Sequence, residues 1–121
     1  MRGWNPHSLN YYLTPEGIVK HGCQDYLDAM GIFHFPINNV PIALPNGGFR
    51  RFLGMKGISD AVIIAKDNVI FLEYKAPKKK ISIDQEIFRD NVLKHGGDHV
   101  HYSVVHSVDE LETDLRSLGI I

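Results

Sequence analysis

Between residues 57 and 80 the chain reads GISDAVIIAKDNVIFLEYKAPKKK, two apolar runs on either side of a short polar turn. AVII and VIFL have the length of strands, and the KDNV between them predicts a hairpin. Asp67-Asn68 is the expected two-residue loop, because both residues tolerate left-handed backbone geometry. Upstream, TPEGIVKHGCQDYLDAMG predicts a helix with Thr14 as N-cap, Pro15 at its first position and Gly31 as its stop. Val19, Cys23, Tyr26, Leu27 and Met30 form its apolar stripe. IFHFPI predicts a strand, and the Pro-, Gly- and Asn-rich stretch through VPIALPNGG a loop. SIDQEIFRDNVLKHGG predicts a second helix with a glycine stop, and Ser82 with Gln85 has capping-box spacing. HVHYSVV alternates like a strand, and SVDELETDLRSL predicts a last helix with Ser107 and Glu110 as its capping box. The order helix, strands, helix, strand, helix implies an α/β fold, a mixed β-sheet flanked by helices.

The hairpin also carries acids at its outer ends. A loop at Asp67-Asn68 sets Lys66 opposite Val69, Ile64 opposite Phe71, Val62 opposite Glu73 and Asp60 opposite Lys75. Paired residues share a sheet face and side chains alternate with period two, so Asp60, Glu73 and Lys75 are expected together on one face. A one-residue slip of the turn is expected to break this arrangement. Three residues before Val19, Glu16 stands at the N-terminal end of the first helix's stripe and points toward the sheet if that stripe packs on it. Three clustered carboxylates repel one another without a cation, and magnesium or manganese prefers such oxygen ligands. Lys75 beside them suits a developing negative charge or an attacking water. The bland alternative is an Asp60–Lys75 salt bridge at the end of an ordinary hairpin. Removing either Asp60 or Glu73 is expected to relieve repulsion and leave the fold intact.

Composition narrows the setting. A chain of 121 residues, 44% hydrophobic and 22% charged, fits one globular domain with a real core. Its apolar runs fall far short of a membrane span, and MRGWNPHSLNYY has no signal-peptide apolar region. A single cysteine, Cys23, excludes an intramolecular disulfide framework and fits a reducing cytoplasm. The net charge is −1, yet it is unevenly spread. Residues 50–80 hold eight basic and three acidic residues, net +5, against five and eleven elsewhere, net −6. Positive charge gathered on one segment can hold a polyanion there, through Arg50, Arg51, Lys56, Lys78, Lys79 and Lys80. Taken alone, the KKK run reads first as a solvated loop.

GISD, twelve intervening residues and then EYK resemble the PD-(D/E)XK nuclease signature. With Glu16 on the first helix and Gln85 opening the second, the chain resembles the virus-type replication-repair nuclease branch, VRR-NUC, from about Glu16 through the HYSVV strand. Ser59 stands where the signature has proline, which is not a ligand. The resemblance implies a restriction-endonuclease-like fold over residues 1–121, with residues 1–13 as an N-terminal arm, and metal-dependent hydrolysis of a DNA phosphodiester. It implies Asp60, Glu73 and the Tyr74 carbonyl as ligands of Mg2+ or Mn2+, with Glu16 contributing directly or through water. It implies Lys75 as the group that orients the nucleophilic water and stabilises the phosphorane, with Gln85 positioning either. One side-chain conformation of Gln85 cannot serve both that role and the capping box. The resemblance further implies an intracellular protein of phage or prokaryotic type that acts as a homodimer on branched DNA such as four-way (Holliday) junctions. Restriction-type or flap endonuclease activity is an alternative, and a non-catalytic nucleic-acid-binding module of the same fold another.

Other features weigh less. His99 and His101 share a face of the late strand, but no familiar zinc spacing accompanies them. Cys23 reads as core. Trp4, Tyr11 and Tyr12 could stack bases or dock the arm on a partner subunit. PNGGFRRFLGMKG, just before Asp60, is the best candidate for DNA-backbone contact, against the plainer reading of a connecting loop.

Overall fold

The computed structural model describes residues 13–37, 41–51 and 55–121. The expected arm, with Trp4, Tyr11 and Tyr12, lies outside the described residues apart from Leu13. The side chains of Arg50 and Arg51 lie outside them too.

Three helices and six strands follow in the order α1 (Pro15–Ala29), β1 (His34–Pro36), β2 (Pro41–Ala43), β3 (Phe49–Arg51), β4 (Ala61–Ala65), β5 (Asn68–Tyr74), α2 (Ile83–His95), β6 (Val100–Val105) and α3 (Val108–Ser117) among the described residues. Thr14 caps α1 by accepting from Gly17 N at 3.1 Å, with Pro15 in the first turn. The helix ends as expected at Gly31, whose positive φ allows Gly31 N and Ile32 N to bond back to Asp28 and Leu27. Met30 does not continue the stripe inward, because it is the C-cap, one residue beyond the last helical residue Ala29, and is exposed.

Four strands form one mixed sheet in the order β1-β4-β5-β6, with β5 and β6 parallel and the other pairs antiparallel. A parallel neighbour needs a crossover, and α2 supplies it. On one face Ala61, Ile63, Ile70, Leu72 and Tyr74 meet Val19, Cys23 and Leu27 of α1 and Leu111 and Leu115 of α3 to form the core. Alternation turns Val62, Phe71, Glu73 and Tyr102 to the other face, where Phe88 of α2 packs its ring on Phe71 and Tyr102. Two layers of helix therefore sandwich the sheet. Cys23 is fully buried in the core, and burial, helped by the Glu110 charge, pushes its thiol up to about 11, which fits an inert core residue.

Two local expectations are corrected. The stretch expected as a loop contains the β2–β3 hairpin, a two-stranded sheet of its own. Pro41 stands at the first residue of its strand, where a missing N–H is tolerated. The β4–β5 turn is Lys66-Asp67, not Asp67-Asn68: both its residues have positive φ, as a type I′ turn requires. Asn68 is a buried strand residue instead, donating from Nδ2 to the Lys66 carbonyl and pairing through Oδ1 with His101 Nε2 at 2.8 Å. The turn's displacement shifts every cross-strand pair by two residues, Ile64 now facing Val69 and Val62 facing Phe71. An even shift leaves each side chain on its face, so the slip does not break the arrangement.

Gly57 ties the segment before Asp60 to α2. Its φ is +74°, and a Cβ there would come within 2.2 Å of the Asp84 carbonyl oxygen. Gly57→Ala is expected to destabilise the protein by about 3 kcal/mol, combining a left-handed alanine with overpacking against backbone. Urea unfolding checks this; a midpoint equal to wild type shows that the contact is absent in solution.

Candidate functional site

The ladder between β4 and β5 stops at the Ala61–Leu72 pair, and the chain bends at Asp60. Asp60 N still donates to the Leu72 carbonyl, and the Asp60 carbonyl accepts from Ile37 N at 2.8 Å. The strand β5 runs on past its neighbour to Tyr74, whose backbone N–H points toward the bend at Asp60. Asp60 Oδ2 accepts that hydrogen at 2.9 Å. The Asp60 carboxylate thus replaces a missing rung of the sheet. The expectation that Asp60 is removable without structural cost is corrected here, since Asp60→Ala strips the acceptor from Tyr74 N.

Continuing the register brings Asp60 beside Glu73 rather than Lys75. Glu73 is only 3% exposed, and its Oε1 is buried with no hydrogen-bond partner among the described residues. Its pKa is pushed up to about 9, first by burial, then by the Asp60 charge and by a hydrogen bond to Asp60 that only the protonated form donates. Lys75 pulls in the opposite direction, and Glu16 adds a weaker push upward. The other three expected groups therefore all act on Glu73, with unequal strength. Among the described residues no three acid, histidine or cysteine side chains converge closely enough to hold a metal ion. Asp60 and Glu73 form a pair, and half-buried Glu16 stands off from it. The reason is topological: the apolar stripe of α1 packs on the opposite sheet face from Glu73, so Glu16 reaches toward the pair only from the start of the helix.

Gln85 takes the structural role. Its Oε1 accepts from Ser82 N at 2.7 Å while Ser82 Oγ accepts from Gln85 N, completing the capping box of α2. That carbonyl is thereby committed to the cap and not to Lys75. Glu110 does the converse. Only the Ser107 half of its expected box forms, and Glu110 Oε1 instead meets His106 at both the backbone N and the ring Nδ1.

Lys78, Lys79 and Lys80 are exposed, within five residues of Lys75 along the chain. Pro77 and Lys78 form the centre of a turn closed by Lys79 N and the Ala76 carbonyl, with Lys78 at φ +68°. Its far end is held: His106 Nε2 meets the Lys79 carbonyl at 2.8 Å. The bond to Glu110 and the bond to Lys79 both raise the His106 pKa. The basic turn is thus pinned to the start of α3. Lys56 is exposed beside Gly57, at one end of an apolar groove of about 420 Å³ lined by Met55, Phe71, Phe88 and Val100. None of the carboxylates lines that groove. His101 is engaged with Asn68 and His99 precedes β6, and among the described residues neither belongs to a group of three metal-ligating side chains.

Tyr102 went unnoticed in the sequence. It faces Phe71 across the parallel pair, one step from Glu73 on the same face, and its hydroxyl is buried without a partner among the described residues. The alternation of HYSVV carries that signal, once the parallel register with β5 is known.

A raised acid has a definite effect on stability. Above pH 4.5 the unfolded chain releases the Glu73 proton, while the folded protein keeps it up to about pH 9. Folding binds the extra proton throughout that window, so metal-free stability falls as pH rises across it. Glu73→Gln keeps the hydrogen bond to Asp60 and cannot ionise. Its melting temperature is expected to exceed that of wild type by an amount that grows from pH 5 to pH 9, measured by calorimetry in chelator. A constant difference across this range shows that Glu73 titrates normally.

No family model matches this chain and no curated protein matches it, so the reading of its function rests on the site's own geometry.

Proposed function

We propose that this protein is a metal-dependent nuclease of restriction-endonuclease-like fold that hydrolyses DNA phosphodiester bonds. The observation that carries this reading is the buried Asp60–Glu73 pair, whose charges are compatible only with a proton or a cation between them. Two carboxyl groups set side by side, one of them almost wholly buried, present hard oxygen donors that fit Mg2+ or Mn2+. Asp60 and Glu73 would hold the ion with the Tyr74 carbonyl, and Glu16 would act through water from its greater distance. A bound divalent ion supplies Lewis acidity at a phosphoryl oxygen and makes water a better nucleophile at neutral pH. Lys75 is half-buried at the edge of the pair, where an ammonium orients the attacking water and offsets charge on the phosphoryl oxygens. Gln85 joins this chemistry only by leaving its cap. Lys56, Lys78, Lys79 and Lys80, with Arg50 and Arg51 on β3, would take the flanking phosphates.

The test combines cleavage with binding. Purified protein with Mg2+ or Mn2+ is expected to cut at least one of linear, flap and four-way DNA. Asp60→Asn, which retains an acceptor for Tyr74 N, and Glu73→Gln are expected to abolish cutting. Lys75→Ala is expected to bind Mn2+ by calorimetry yet turn over about 10²–10⁴-fold more slowly. Undiminished cutting by the carboxylate variants rejects this site. DNA binding without cutting by wild type in either metal leaves a non-catalytic binding module.

The proposal extends to a homodimer acting on branched DNA. It draws on the resemblance to VRR-NUC nucleases and on the positive charge gathered over residues 50–80. Two copies bring two basic segments to a junction. Arg50→Ala combined with Arg51→Ala is expected to weaken binding to every DNA and flatten its salt dependence. The loss is expected to be larger on a four-way junction than on a linear duplex, because two linked contacts are removed. A monomer by light scattering, with equal losses on both DNAs, leaves a simpler endonuclease.

A further inference from the structure

We propose that Tyr102 is a positioning residue for Glu73, its hydroxyl donating to Glu73 Oε1 and fixing the carboxylate's orientation when the Asp60–Glu73 pair holds a divalent cation. The inference rests on the metal-dependent reading above and assigns a role to a residue outside the expected site.

The ring of Tyr102 is fully accounted for by packing. It lies beside Phe71 in the β5–β6 register, and Phe88 of α2 covers it with ring centroids 6.1 Å apart and planes tilted by 60°. Phenylalanine would fill that position equally well. The hydroxyl is what packing leaves unexplained. It is buried, it has no partner among the described residues, and a buried hydroxyl without a bond costs free energy. Glu73 Oε1 shares that condition on the same sheet face, one step along the strand pair. A donor without an acceptor thus lies near an acceptor without a donor. Long and aromatic side chains reach such diagonal neighbours across a strand pair. Their proximity has an electrostatic signature, because the charges of Glu73 and Asp60, after burial itself, raise the Tyr102 pKa.

In the structure both atoms are buried and unpaired. Were Asp60 and Glu73 to hold a divalent cation, Glu73 would bind it as the carboxylate and leave Oε1 in need of a donor in a water-poor setting, which the Tyr102 hydroxyl would supply. Ligating carboxylates are commonly held in this way by a hydrogen bond from behind. Phe88 fixes the ring against rotation away from the site. Arg89, the next residue on α2, adds a positive charge that acts on the same hydroxyl.

Tyr102→Phe tests the hydroxyl alone. In chelator its melting temperature is expected to equal or exceed that of wild type, because an unpaired buried hydroxyl is removed. Its affinity for Mn2+, measured by calorimetry without DNA, is expected to fall about tenfold or more. Tyr102→Leu is expected to lose the ring packing too and melt lower in chelator, which separates the ring from the hydroxyl. Wild-type Mn2+ affinity in Tyr102→Phe, or a lower melting temperature for it in chelator, overturns the inference. Asp60→Asn serves as the reference arm. If it binds Mn2+ as tightly as wild type, the carboxyl pair is not the cation site and the nuclease reading fails with this one. If only Asp60→Asn loses affinity, the nuclease reading stands and Tyr102 has no part in it.

Discussion

Glu73 lies on a central strand of the sheet, almost wholly removed from water, with the Asp60 carboxyl against it. Two ionised carboxylates cannot share such a place without a positive charge, and the rest of the site is arranged around that constraint. Without a cation, the pair retains a proton and the fold pays in pH-dependent stability. On the proposed reading, a bound cation would turn that repulsion into a ligand set. Lys75 offsets part of the charge in either state, and Glu16 adds to it from the start of α1. A group that makes its own fold less stable at neutral pH has a clearer rationale as a binding group than as a structural one.

Much of this was legible in the sequence because sheet faces follow parity. Asp60, Glu73 and Lys75 share a face for any hairpin whose pairing shifts by an even number of residues, so the displaced turn left the expected face intact. The turn itself was not legible. Local turn chemistry favours Asp67-Asn68 over Lys66-Asp67, yet Asn68 lies in the strand, where its side chain meets a distant partner, the His101 ring on β6. Helix ends were legible where a local cap decides them, as at Thr14, Gly31 and Ser82. Gln85 shows the limit of that reading: one side chain satisfied two motifs, and only the folded geometry shows which bond it makes. The β2–β3 hairpin was hidden by its prolines and glycines, which mark loops more often than short edge strands.

The two faces of β5 divide the work of the fold. Ile70, Leu72 and Tyr74 turn into the core between the sheet and helices α1 and α3, where they fix the strand's position. Phe71 and Glu73 turn to the α2 side, where one packs against Phe88 and the other meets Asp60. Alternation makes these two sets inseparable, since no displacement of the core side chains leaves Glu73 unmoved. Tyr74 couples them more directly. Its side chain is fully buried in the core while its backbone N–H holds the Asp60 carboxylate. A carboxylate anchored to main chain rather than to a mobile side chain keeps its position whether or not its partner is ionised. Asp60 is therefore the fixed half of the pair and Glu73 the adjustable half. This asymmetry is why a donor placed behind Glu73, and not behind Asp60, has something left to determine.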